Sequence, residues 1–232
     1  MEMLNVLLKI AGKNNFVIDD RIGLTYLVRV CWKYGVMGIR GMFKSFGYKN
    51  ISPWIFWGKR IKVYSKKQLE IRSKTKIHDR VRIDALSMNG IVIGTGCVIG
   101  EGTIMECTGS LEEIGKGIDI GDRTTFSNDC YFGAAGGISI GHDVVAGQYI
   151  RFHSENHNYN DISRLIKVQG VTRKGIKIGN NCWIGSGAVF LDGAKLADGC
   201  VVAANAVVNN NFPENSVIGG VPAKLIKRRG DV

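Results

Sequence analysis

The sequence predicts an all-β solenoid, a chain wound into stacked coils of six-residue units, with a mainly helical N-terminal extension and a short C-terminal helix. Three observations predict it. Ile178, Ile184, Phe190, Leu196, Val202 and Val208 recur every six residues without a slip. Two places before them stand Ile176, Cys182, Ala188, Ala194, Cys200 and Ala206, nearly all small. The 232 residues hold 31 Gly against 3 Pro, a surplus without a third-residue period, which excludes collagen and suits many tight corners.

The same beat runs through Ile93, Ile99, Met105 and Leu111, then Ile120, Phe126 and Phe132, and after a shift Ile140, Ala146 and Phe152. Ile71, Ile77 and Ile83 form a fainter trace where it starts. Neither an amphipathic helix nor a half-buried strand keeps this period. Each hexad therefore supplies one short strand and one corner, and three of them, about eighteen residues, close a triangular coil. The aliphatic residue points inward, the small one fits the crowded interior, and glycine or asparagine tolerates the corner backbone. The organisation expected is an extension over 1–68, a coil over 69–212 and a cap over 213–232.

Interruptions of such a coil are where function tends to sit. The longest, HSENHNYNDISRLIKVQGVTRKG over 153–175, is polar, holds two of the four histidines and reads as an extended loop. After Val208, NNNFPENSVIGGVPAKLIKRR breaks the beat and ends basic, as expected of a cap and short helix covering the open end of the stack.

Charge is concentrated at the front. The chain carries 31 Lys+Arg against 20 Asp+Glu, and the stretch from Arg21 to Lys67 contains eleven cations and no acid, so the remainder is neutral. Three of the four tryptophans, Trp32, Trp54 and Trp57, are interleaved there. Leu24, Leu27, Val28 and Cys31 have helical spacing, with Arg21, Arg29 and Lys33 among them. Cations with interfacial aromatics suit a bilayer surface. A cap on the coil, a trimer contact or a site for an acidic acceptor polymer fits the same residues. No recognised nucleic-acid motif accompanies the patch, so nucleic acid is not an expected partner. No run of eighteen apolar residues exists, the segment from Glu2 lacks signal-peptide features, and six dispersed cysteines form no C-x-x-C pair. The expected location is cytoplasmic, at most peripheral to the inner face of the membrane.

The motifs of the last third are W-I-G at Trp183–Gly185 and G-V-P-A-K at Gly220–Lys224, preceded by the loop histidine His157. With these, the chain from about Leu69 to Arg229 resembles the hexapeptide-repeat acyltransferases, most closely the branch that O-acetylates sugars and polysaccharides, related to the galactoside and maltose acetyltransferases. The resemblance implies a left-handed parallel β-helix, a homotrimer, acetyl-CoA bound in clefts between subunits, and no metal. It implies that His157 is the general base, taking the proton of an acceptor hydroxyl that then attacks the thioester carbonyl. An imidazole with an ordinary pKa of about 6.5 suits that task, and a hydroxyl is a poor nucleophile until its proton has somewhere to go. Glu155, Asn156 and Asp161 either orient the imidazole or are plain loop polars. His153 is expected to be solvated or structurally bonded, and His78 and His142 stand at corners.

For the remaining positions the resemblance implies cofactor and acceptor roles. Asn128 touches the acceptor sugar or is a corner asparagine. Trp183 stacks on sugar or pantetheine, or packs at the trimer seam. The backbone N–H near Gly185 and Ser186 receives the charge developing on the thioester oxygen. Ala203, Ala204 and Gly220 line the pantetheine arm, and Lys224 and Lys227 meet the phosphates. Two departures stand out: Ala203-Ala204-Asn205-Ala206 replaces the usual G-A-G-S turn, and lysines stand where arginine is common. The expected function is acetyl-CoA-dependent O-acetylation of a sugar in a surface polysaccharide or its lipid-linked precursor. N-acetylation of an amino sugar is the nearest alternative. More distant ones are a zinc enzyme like the γ-class carbonic anhydrases, using His142, His153 and His157, and a non-catalytic scaffold.

Overall fold

The computed structural model describes residues 18–48 and 50–231. Residues 1–17, the front of the expected extension, lie outside the described residues, as do Lys49 and Val232. The chain divides into two compact units, Met1–Met37 and Gly38–Val232. In the first, Arg21 clamps Asp19 through Nε and Nη2 at 2.9 and 2.6 Å, just ahead of helix α1, Leu24–Ser45. That helix runs on into the second unit and ends where Ser45 Oγ donates back to Met42 O. It contains Gly35, Gly38 and Gly41, poor helix formers. Gly41 has a steric reason: a Cβ there would lie 2.0 Å from the carbonyl oxygen of Ile55.

The second unit is a left-handed parallel β-helix with three sheets. The first face climbs from Phe56–Trp57 to Ser216–Gly219, the second from Lys62–Tyr64 to Val207–Val208, and the third from Leu69–Ile71 to Asn211–Phe212. The strands of the three faces from Phe56 to Gly219 are two to four residues long and pair in parallel with the coil above and below, as Ile138↔Ile176 and Phe152↔Phe190 do. The beat read from the sequence is the inward set. Ile178, Ile184, Phe190, Leu196, Val202 and Val208 are all buried, and so are the small partners from Cys182 to Ala206 and the fainter Ile71, Ile77 and Ile83.

Corners are tied by a device the hexad pattern does not announce. An Asp or Asn accepts the backbone N–H of the residue stacked on it in the preceding coil: Lys59 N–H donates to Asp79 Oδ1 (2.8 Å), Thr95 to Asp122 (2.7 Å), Glu101 to Asn128 (3.0 Å), His142 to Asn180 (3.0 Å) and Asn180 to Asp198 (2.7 Å). Corner amides that no strand can satisfy are thereby paired with side chains.

The structure corrects three expectations. The coil begins before residue 69, since Phe56–Trp57 and Lys62–Tyr64 already pair with Lys76–Ile77 and Arg82–Asp84. Leu111 is not an inward residue: it is 93 % exposed in a segment that leaves the coil after Cys107 and rejoins at Ile118. The C-terminal helix is absent. Lys224–Arg228 is instead a strand, folded back antiparallel on Ser216–Gly219, where the edge of the first face offers unpaired backbone groups.

The inward column of the second face is aromatic. Phe132, Phe152 and Phe190 stack with centroids 4.9 Å apart, and Phe126 meets Phe132 edge-on at 5.0 Å. Phe152→Ala removes the middle ring of this fully buried stack, and chemical denaturation is expected to read a loss of about 3–5 kcal/mol. Phe152→Leu, which refills most of the volume, is expected to cost less than half of that.

Candidate active site

The first edge of the coil, between the first and second faces, carries the expected cofactor residues. The register Val145↔Trp183↔Val201↔Val217 sets Gly147, Gly185, Ala203 and Gly219 in one column, with Gln148, Ser186, Ala204 and Gly220 beside it. Small residues are required here: a Cβ on Gly185 would lie 2.5 Å from Ala204 N, and one on Gly147 would lie 2.4 Å from Ser186 Oγ. The edge is therefore bare backbone over several coils. Gly185 N–H is spent on Val202 O at 2.8 Å, while Ser186 N–H has no acceptor among the described residues. Of the two expected donors, Ser186 is the one left to stabilise an oxyanion. Trp183 projects outward, 60 % exposed, between Val145 and Val201. Gly220, at φ +99°, opens the turn into the last strand, which exposes Lys224 opposite Gly219 and Lys227 opposite Val217. Asn128 shares this edge, its Oδ1 already holding Glu101 N–H.

The second edge, between the second and third faces, is where the coil is interrupted twice, over 107–117 and 154–175. The longer insertion is a hairpin: Asn156–His157 pairs antiparallel with Val171–Thr172, His157 opposite Val171. Its side chains order it. Asn158 accepts from Thr172 Oγ1 (2.7 Å) and donates to Gln169 O (3.1 Å), and the Gln169 amide brackets the Asp161 backbone. The Asp161 carboxylate is occupied by the hydroxyl and N–H of Ser163, which hold its pKa below the ordinary value. Arg173, only 11 % exposed, closes the base of the hairpin. Its Nε donates to Glu155 Oε2 at 2.6 Å, and its Nη1 stands 3.1 Å from Glu113 Oε2 in the other insertion.

A pocket of about 160 Å³ opens at this base, lined by Glu106, Tyr131, Gly133, His153 and Glu155 among others. Tyr131 Oη donates to Glu106 Oε2 (3.1 Å), and Arg82 Nη2 donates to Glu106 Oε1 (2.5 Å). Burial, with Glu106 beside it, raises the Tyr131 pKa, so the phenol stays protonated and able to donate. The His153 ring lies 5.6 Å from that of Tyr131. Burial and the Arg151 charge push its pKa down, which leaves it neutral near pH 7.

The sequence-predicted residues thus fall on two separate edges of one chain. Gly185, Ser186, Ala203, Ala204, Gly220, Lys224, Lys227 and Asn128 share the first. His157 and Glu155 share the second, where Glu155 is engaged by Arg173 rather than by an imidazole, and His157 is exposed on its strand. Sequence reasoning missed Arg173, Glu106 and Tyr131, none of which belongs to the hexad beat. The one usable signal was the interruption at 107–117, which the spurious match at Leu111 hid. Among the described residues no group of three or more His, Cys, Asp or Glu side chains could hold a metal ion.

Comparison with known proteins places this geometry. Residues 175–210 match the family described as bacterial transferase hexapeptide (six repeats). A Mycobacterium tuberculosis protein named as an acetyltransferase is 31 % identical over 159 residues, 61 % of this chain and 53 % of that one. WbbJ of Escherichia coli, whose name gives it as a lipopolysaccharide biosynthesis O-acetyl transferase, is 29 % identical over 51 % of this chain and 64 % of its own. The chain spans less than two thirds of the length of these curated relatives. Among solved structures, a hexapeptide-repeat acetyltransferase of Vibrio cholerae complexed with acetyl-CoA is 29 % identical, with a TM-score of 0.52 over 60 % of this chain and 71 % of that one. The beat, the three-faced coil and these likenesses agree: residues 175–210 carry the bacterial transferase hexapeptide repeat, and the chain is similar to acetyltransferases that contain it.

Proposed function

We propose that the protein is an acetyl-CoA-dependent acetyltransferase that modifies a hydroxyl of a sugar in a surface polysaccharide or its lipid-linked precursor. The observation that carries the reading is the ordered hairpin of the second edge, which carries His157 off the coil two residues beyond Glu155, a residue that lines the polar pocket at its base. A coil needs no such hairpin for stability, and Arg173 holds its base to both insertions. The acetyl-CoA of the Vibrio cholerae structure and the name of WbbJ support the donor and the class of acceptor.

In this reading the acceptor lies in the pocket against Glu106 and Tyr131. His157 takes the proton of its hydroxyl, the oxygen attacks the thioester carbonyl, and Ser186 N–H receives the charge that develops on the carbonyl oxygen. Collapse breaks the C–S bond, and the imidazolium returns the proton to the departing thiolate. The products are an acetyl ester and CoA. Glu155, fixed by Arg173, anchors the strand that carries His157 two residues on and acts as a positioning residue. The amide nitrogen of Asn128, unbonded among the described residues, and the face of Trp183 are the further contacts assigned to acceptor or pantetheine. Pantetheine runs along Ala203, Ala204 and Gly220 towards Lys224 and Lys227. Because His157 and these residues occupy different edges, the complete site forms where the second edge of one copy meets the first edge of another, which a homotrimer supplies three times.

Three measurements test this. His157→Ala is expected to lower kcat by roughly 10²–10⁴ while CoA affinity stays within about twofold of wild type, the range for loss of a general base; wild-type turnover would remove His157 from the chemistry. Product released as acetate by mild alkali identifies an ester, whereas alkali-stable product points to N-acetylation. Lys224→Ala with Lys227→Ala is expected to raise the KM for acetyl-CoA about tenfold or more through lost charge-assisted bonds, and to abolish discrimination against dephospho-CoA. An unchanged preference would place the phosphates elsewhere.

A further inference from the structure

We propose that one face of helix α1 docks on an anionic lipid bilayer. Leu24, Val28, Trp32, Ile39, Met42 and Phe43 are all exposed, and their spacing at three, four and seven residues puts them in one stripe of roughly 100° of arc. Phe46 continues the stripe just past the helix end. Trp32, Phe43 and Phe46 are 74, 71 and 86 % exposed, far beyond the scattered apolar residues that a water-facing helix normally shows. The inner side of the helix is a different set: Met37 and Gly41 are buried, and Leu27, Val30, Tyr34 and Gly38 are partly so. Among the described residues the stripe is thus a second apolar face that is left uncovered.

Charge decides what covers it. Arg29, Lys33 and Lys44 are exposed in a row flanking the stripe, while Arg40 in the same row donates to Trp57 O at 3.0 Å. No acid occurs anywhere from Arg21 to Lys67. Polar faces of helices that pack on proteins commonly mix signs, whereas a single-sign cationic margin beside tryptophan and phenylalanine matches the boundary between phospholipid headgroups and acyl chains. No helix among the described residues is long and apolar enough to cross a membrane, so the contact lies in the plane of the surface. The inference does not depend on the acetyltransferase reading. If both hold, the enzyme is held where lipid-linked glycans lie.

The test is co-sedimentation of the full chain with vesicles of phosphatidylcholine, with and without phosphatidylglycerol. Binding is expected only with the anionic lipid, weakening as salt rises. Arg29→Glu with Lys33→Glu is expected to lower the partition coefficient more than tenfold, at about fivefold for each cation lost from the surface. Trp32→Ser with Phe43→Ser is expected to abolish binding even at low salt, with the circular dichroism of the coil unchanged. Equal binding to both vesicle types, or wild-type binding by the serine variant, overturns the proposal. So does a fall in the sedimentation mass of that variant without any vesicle binding by wild type, which would make the stripe a contact between copies. Loss of acetyl transfer in solution by His157→Ala leaves vesicle binding untouched, so the two readings fail separately.

Discussion

Each coil of this protein must lay its strands directly on those of the coil beneath, and that requirement governs nearly everything else. Inward positions have to stack on residues of compatible size, which is why a column of Val63, Ile83, Met105, Phe132, Phe152, Phe190 and Val208 runs the length of the second face. Backbone groups within strands are satisfied from coil to coil, while corner amides need the Asp and Asn links that join one coil to the next. Residues inserted within a coil must leave from a corner, because a strand cannot lengthen without losing register. Both major insertions leave from the same edge, and Arg173 ties them together there.

The legibility of the sequence follows from that constraint. Where stacking repeats, the period of six is visible in single residues, and the inward residues from Ile178 to Val208 could be named without a structure. Where the chain departs from the coil, the same period misleads. Leu111 stands six residues after Met105, yet no neighbouring strand lies under it, so spacing alone carried no information about burial. The tail failed for another reason: LIKRR is compatible with a helical turn, but the open sheet edge at Ser216–Gly219 offers hydrogen bonds that an isolated turn cannot match.

The site was legible to the extent that it is written in local motifs. The W-I-G and G-V-P-A-K segments lie along one bare edge as their small residues require, and the histidine-bearing interruption is indeed a projecting element. What the sequence could not convey is cross-chain arithmetic between distant segments. The meeting of Glu113, Glu155 and Arg173, or of Arg82, Glu106 and Tyr131, depends on which coils are adjacent, and the spacing between those coils varies with every insertion.

The folded-back last strand has a consequence for solubility. A stack of coils ends in a rung whose backbone could template another solenoid, and repetition of that event would build fibres without limit. Here Lys224–Arg228 crosses the end of the first face in the opposite direction and brings Lys224, Lys227 and Arg228 with it. A reversed, positively charged rung repels its own kind and mismatches the polarity of an incoming strand. The edge of the first face at Ser216–Gly219 is therefore closed to an incoming parallel strand.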